Sequence, residues 1–129
     1  MTHVEDTLLV MTKYGQSMSE AAVSILGADD LVSNVSLSTL MLLHSDGPQR
    51  PTRIAELTGL TSGGATKLIT RLETGGLVVR EEGIVPSDGR AVVVALTETG
   101  TEKVGEVVMA LAPQIDALVD ELDAIRADA

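Results

Sequence analysis

The chain contains no cysteine, which removes three functional routes at once: disulfide bonding, thiolate metal sites and thiol redox sensing. It has no tryptophan or phenylalanine either, and Tyr14 is its only aromatic residue. Proteins that grip RNA or single-stranded nucleic acid stack bases on aromatic rings, so that class lacks its platform here. The only histidines, His3 and His44, are far apart in the chain and have no partner carboxylates at ligand spacing. No metal and no cofactor is therefore expected. A phosphate-cradling glycine loop and a nucleophile elbow are also missing, so the chain does not read as an enzyme. The opening MTHVEDTLLV has no basic n-region, and the longest clean apolar run is about the length of a strand. The expectation is a cytoplasmic protein with no signal peptide, no membrane-spanning helix and no membrane partner.

Positive charge is scarce. Nine lysines and arginines face nineteen acids, for a net charge of −10 over 129 residues, a length that suits one domain with a modest core. The scarcity is uneven. Pro48 to Ala91 holds six cations (Arg50, Arg53, Lys67, Arg71, Arg80, Arg90) against five acids (Glu56, Glu73, Glu81, Glu82, Asp88), net +1, so the remainder carries −11. One reading is an acidic protein with scattered cations. The other is a DNA-facing segment relieved of acid, with the excess held elsewhere to oppose sequence-independent binding.

Within that segment, Ala65, Leu68, Ile69 and Leu72 fall at i, i+3, i+4 and i+7, one apolar face at helical spacing. Opposite them lie Gly63, Thr66, Lys67, Thr70 and Thr74, with Arg71 at the edge. No acid appears until Glu73, at the far end. Small residues, hydroxyls and cations suit the floor of a DNA major groove, where Lys and Arg reach phosphate or guanine and Thr meets base edges. Gly75-Gly76 ends this helix. Leu77 to Glu81 and Ala91 to Leu96 are β-branched runs that read as strands, joined by a turn-rich stretch with Gly83, Pro86 and Gly89. Upstream, Arg53 to Thr58 reads as a short helix with Thr52 as N-cap, and Gly59 turns the chain into the next helix. Two short helices around a glycine turn form a helix-turn-helix, and the hairpin after them makes it winged.

The ends of the chain read as longer helices. Val4, Leu8, Met11, Met18, Ala22 and Ile25 follow alternating steps of four and three, with Gly15 in the vacant place. His3 precedes that run, in a frayed terminus. Asn34 to Ser45 forms a second helix. Thr97 to Ala127 keeps the same stepping through Val104, Val108, Leu111, Ile115, Leu118, Leu122 and Ile125, with a break or kink expected near Ala112, before Pro113. The small middle unit cannot cover both seams. A homodimer built on the terminal helices would, whereas packing within one subunit is the simpler alternative.

The segment PTRIAELTGLTSGGATKLITRLETGGLVVR, followed by SDGRAVVVALTETG, resembles the MarR family of bacterial transcriptional regulators. Three features carry the resemblance: Leu72-Glu73 with Gly76-Leu77-Val78 and Arg80; Asp88 and Arg90 spaced by one residue; and Leu96-Thr97-Glu98-Thr99-Gly100. The resemblance implies a mainly α fold with a small antiparallel β-hairpin wing. One domain spans 1–129, with the winged helix-turn-helix over about 35–97 and dimerisation helices over about 4–27 and 98–127. It further implies a sequence-specific, homodimeric repressor on a pseudo-palindromic double-stranded operator, relieved by a small apolar or phenolic effector. Carried over by position, Thr61, Ser62, Gly63, Thr66, Lys67, Thr70 and Arg71 would meet the major groove and its phosphates. Arg90 would enter the minor groove with Asp88 orienting it, a contact that reads groove shape more than base identity. Members often have a second arginine where this chain has Gly89. Gly63-Gly64 either allows close backbone approach to a phosphate or loosens the helix start. Met11, Tyr14, Met18, Met41 and His44 are candidates for an effector pocket at the lobe junction, the competing reading being ordinary core. The alternative function is a winged-helix protein that binds a protein partner, as a decoy or antirepressor, in place of DNA.

Overall fold

A computed structural model describes residues 2–27, 33–82 and 92–128. The order is α1 (His3–Leu26), α2 (Asn34–Asp46), α3 (Pro51–Thr58), α4 (Ser62–Thr74), β1 (Val78–Glu82), β2 (Val92–Leu96) and α5 (Glu98–Asp128). This is the winged helix-turn-helix flanked by two long helices that the sequence predicts.

The helix ends follow local chemistry. Thr2 and Glu5 form a reciprocal capping box: the Thr2 hydroxyl accepts from the Glu5 amide at 3.1 Å, and the Glu5 carboxylate accepts from the Thr2 amide at 2.9 Å. His3 thus sits in a capped first turn, not in a frayed end. Ser33 caps α2 and Thr61 caps α4 by accepting the amides of Ser36 and Gly64. At α3 the expected cap is displaced. Pro51 is the first helical residue, Arg50 takes the N-cap position without a side-chain bond, and Thr52 lies inside the first turn. Proline's preset φ and missing N–H suit that position, so it outcompetes the threonine beside it.

β1 and β2 pair antiparallel from Val78↔Leu96 to Glu82↔Val92. The first strand starts one residue later than expected, because the Leu77 amide still donates back to the Leu72 carbonyl of α4 at 3.0 Å. Gln49, between α2 and α3, adds an isolated bridge to Val94, with N···O distances of 2.9 and 2.7 Å in the two directions. That bridge fastens the wing to the helical unit. Asp88 and Arg90 lie outside the described residues.

α5 does not break at Pro113; it runs from Glu98 to Asp128 without interruption. Pro113 leaves the Met109 carbonyl without a helical donor. Both residues are exposed, so water can serve that carbonyl. α1 packs along α5, with Lys13 Nζ 3.7 Å from Glu121 Oε1.

The core lies beneath α4. Leu40, Ile54, Leu68, Ile69, Leu72, Leu77, Val78, Val94 and Val104 are almost fully buried there. Ala22 and Leu26 join it from the last turns of α1. Gly76 turns the chain out of α4 at φ 78°, a conformation that costs a side-chain-bearing residue roughly 1 kcal/mol or more. The next link is Thr97, whose amide donates to the Leu77 carbonyl at 3.0 Å and whose hydroxyl donates to the Gly76 carbonyl at 2.6 Å. The same hydroxyl accepts from the Gly100 amide at 2.9 Å, capping α5. Gly100 is pressed against this turn: a Cβ there would sit 2.0 Å from the Leu77 carbonyl oxygen.

The apolar stripe of α1 is divided. Its lower part enters the core, while Val4, Leu8, Leu9 and Met11 are more than half exposed. On α5, Met109, Ile115 and Val119 are exposed as well.

Gly100→Ala should therefore lower stability by about 3 kcal/mol, the upper end of the usual overpacking cost, in urea unfolding monitored by circular dichroism. Gly105→Ala is the control. Its added Cβ meets nothing within 4 Å, so helix propensity should leave it neutral or more stable by up to about 1 kcal/mol.

Candidate nucleic-acid interface

The two faces of α4 separate completely. Ala65, Leu68, Ile69 and Leu72 are at most 2% exposed, whereas Thr61, Ser62, Gly63, Thr66, Lys67, Thr70 and Arg71 are all exposed. Burying the first set obliges the second to face out, because a straight helix cannot turn one stripe inward without presenting the other. Every major-groove candidate named from the sequence thus lies on one continuous outer surface. The two glycines differ in their surroundings. A Cβ on Gly63 would meet nothing within 4 Å, so packing does not demand glycine there. A Cβ on Gly64 would come 3.3 Å from the Thr61 hydroxyl that caps the helix.

Electrostatics sharpen this surface. Among the described residues, Lys67 and Arg71 pair with no carboxylate. Glu73, the one acid on the helix, does not act alone. Arg80, on β1, places Nη1 2.6 Å from Glu73 Oε1, and its amide donates to Glu73 Oε2 at 3.4 Å. Both side chains are partly exposed, so the pair contributes modestly to stability, and its main local effect is to cancel the one negative charge that α4 carries. Arg80 Nη2 continues onto the helix itself, donating to the Thr66 carbonyl at 3.3 Å and to Thr70 Oγ1 at 3.0 Å. No periodicity announces this cluster, since its members come from a helix and a strand. The only hint is that an arginine follows the helix by one turn and two strand residues. Arg50 and Arg53, at the start of α3, are also exposed.

The effector candidates are dispersed. Met11 is on the outer side of α1, and His44 is exposed on α2. Tyr14 and Met18 are half-buried on α1. The neighbouring Glu121 carboxylate, then partial burial and the charge of Asp120, raises the Tyr14 phenol above its ordinary value. Lys13 lies 5.1 Å from the centre of the same ring. Met41 alone of the five lines an apolar cavity of about 380 Å³ between α2 and α5, with Leu37, Val107, Leu111 and Ile115 among its walls and Asp116 at its edge. Among the described residues, no helix is long and apolar enough to cross a membrane, and no three His, Cys, Asp or Glu side chains cluster as a metal site.

Comparison with known proteins agrees with this architecture. The MarR family's model matches residues 32–92. The chain is 40% identical over 65 residues to the uncharacterised HTH-type transcriptional regulator YkoM of Bacillus subtilis. That match covers 50% of this chain and 41% of the relative, so it spans well under half of that protein's length. Among solved structures, RV1404 of Mycobacterium tuberculosis superposes with a TM-score of 0.77 at 20% identity, over 97% of this chain and 86% of that one. NadR in complex with 4-hydroxyphenylacetate gives a TM-score of 0.67 at 22% identity, over 92% and 77% of the two chains. At those identities the superpositions establish the fold. The chain thus resembles the MarR family in sequence from α2 through β1, and it shares its fold with the solved structures over nearly its whole length.

Proposed function

We propose that this protein is a transcriptional regulator that binds double-stranded DNA sequence-specifically, with α4 in the major groove. The observation that carries the reading is the outer face of α4: small residues, hydroxyls and two cations that pair with no carboxylate among the described residues, with its single acid neutralised by Arg80. Lys67 and Arg71 supply phosphate or guanine contacts, while the threonines and Ser62 meet base edges and backbone. Arg90, with Asp88, extends the contact into the minor groove; this assignment rests on the wing motif in the sequence. A surface with so few cations releases few counterions, so sequence-independent binding is weak and salt suppresses it readily.

The regulator acts as a homodimer. Val4, Leu8, Leu9 and Met11 on α1, and Met109 and Val119 on α5, leave an apolar surface that a second copy would cover. Two copies of α4 then address half-sites of a pseudo-palindrome. The cavity between α2 and α5 is a candidate effector site, since it links a helix of the DNA-binding unit to a dimerisation helix. The NadR structure with 4-hydroxyphenylacetate supports a phenolic ligand as the first to try. Relief of repression then follows if the ligand favours a dimer geometry with mismatched α4 spacing.

Selection of genomic fragments by the purified protein at physiological salt should recover a pseudo-palindrome with half-sites about 10 base pairs apart. Arg90→Ala should weaken that binding and reduce the salt slope by about one unit. No enrichment at any salt would instead favour the protein-partner reading, which the acidic surface would suit.

Leu8→Glu places a charge on the exposed part of α1, where the isolated subunit tolerates it. Multi-angle light scattering should show dimer converted to monomer with unchanged helicity; a persistent dimer would exclude this face.

Addition of 4-hydroxyphenylacetate should raise the thermal midpoint of the wild-type protein and lower its DNA affinity. Ala112→Leu, which fills part of the cavity, should blunt both responses while leaving DNA binding intact.

A further inference from the structure

We propose that Thr70 is a hydrogen-bond donor to DNA and that Arg80 is the positioning residue that makes it one. The proposal rests on the DNA-binding reading and adds the polarity of one contact to it.

A threonine inside a helix ordinarily turns its hydroxyl back to the carbonyl four residues earlier. Five threonines of this chain do so: Thr7, Thr12, Thr39, Thr58 and Thr66 donate to the i−4 carbonyl at 2.7–2.9 Å. Thr70 does not. The carbonyl it would use belongs to Thr66, and Arg80 Nη2 already donates to that oxygen at 3.3 Å. The same nitrogen donates to Thr70 Oγ1 at 3.0 Å. A guanidinium has no acceptor, so the oxygen of Thr70 must be the acceptor in that bond. The hydroxyl proton of Thr70 is thus directed away from Arg80, and among the described residues it is donated to nothing. Thr70 is exposed on the outer face of α4.

The consequence is a difference in polarity between two threonines one turn apart. Thr66, its proton engaged with Ser62, offers DNA an oxygen lone pair and a methyl group. Thr70 offers a proton and calls for an acceptor, either a phosphate oxygen or a base-edge oxygen or nitrogen in the major groove. Glu73 completes the device by holding Arg80 Nη1 at 2.6 Å, which aims the planar fork across the helix.

The test is fluorescence anisotropy of the full-length protein on its selected operator and on a random duplex, with circular dichroism melting as the check on folding. Thr70→Val keeps the shape and removes the donor; affinity should fall roughly tenfold, as expected for a hydrogen bond to a charged or strongly polar acceptor. Thr70→Ser should retain near wild-type affinity. Arg80→Lys keeps the charge opposite Glu73 but loses the planar fork, returning the Thr66 carbonyl to Thr70; it should weaken binding to a similar extent. The double variant Thr70→Val with Arg80→Lys should bind no more weakly than Thr70→Val alone, because Arg80 acts through that hydroxyl. Equal losses on both duplexes identify a phosphate acceptor, and a loss confined to the operator identifies a base edge. Wild-type affinity in Thr70→Val, or multiplicative losses in the double variant, would overturn the proposal while leaving DNA binding intact. Failure of the wild-type protein to bind any duplex would instead overturn the DNA-binding reading itself, and this contact with it.

Discussion

Burial of one face of α4 is the constraint on which the rest of the molecule turns. Leu68, Ile69 and Leu72 are driven inward against α2, α3, the wing base and the start of α5. Each buried aliphatic side chain stabilises the fold by roughly 1.5–3 kcal/mol. Once that stripe is inside, the rotation of the helix is set, and with it the direction in which Thr66, Lys67, Thr70 and Arg71 point. The surface proposed to read DNA is thus a by-product of the packing of its reverse side. The turn after the helix carries the same precision into the wing: Thr97 and Gly100 grip the Gly76 and Leu77 carbonyls, and Gln49 clasps Val94 from the other side.

Charge is managed locally within an acidic protein. The chain carries −10, yet the face of α4 presents no uncompensated acid. Arg80 neutralises Glu73 where an unpaired carboxylate would repel an approaching phosphate. The proposed interface gains selectivity from this economy of cations, because little affinity arises from the backbone charge of arbitrary DNA. On the proposed reading, the hydroxyls of α4 and Arg90 are left to supply recognition.

The two long helices serve a different end. α1 packs along α5 but does not exhaust its own apolar residues. Its lower turns complete the core through Ala22 and Leu26, and its upper turns hold Val4, Leu8 and Leu9 outward. The seam that looks continuous in sequence is therefore shared between two kinds of contact. The cavity between α2 and α5 lies where the two systems meet, so occupancy there would bear on both.

Much of the architecture was legible in the linear chain. Apolar residues at helical spacing, glycine punctuation and two β-branched runs mark local preferences that tertiary packing reinforces, so helix, turn and wing emerge from residues that are neighbours in sequence. The exposure of Gly63, Thr66, Lys67, Thr70, Thr74 and Arg71 followed from the same periodicity. Other features depend on groups brought together from a distance, and no spacing rule encodes them. Proline displaced Thr52 as the start of α3, and α5 continued through Pro113 because solvent lay beside the freed carbonyl. The stripe of α1 divided where the core ended. The Gln49–Val94 bridge and the reach of Arg80 from β1 to Glu73, Thr66 and Thr70 exist only once the wing has folded back on the helix. Local propensity and periodicity decide which residues share a face. Long-range packing decides what that face meets, and it is contact across elements that sets which hydroxyl donates, which charge is cancelled and which apolar side chain stays outside.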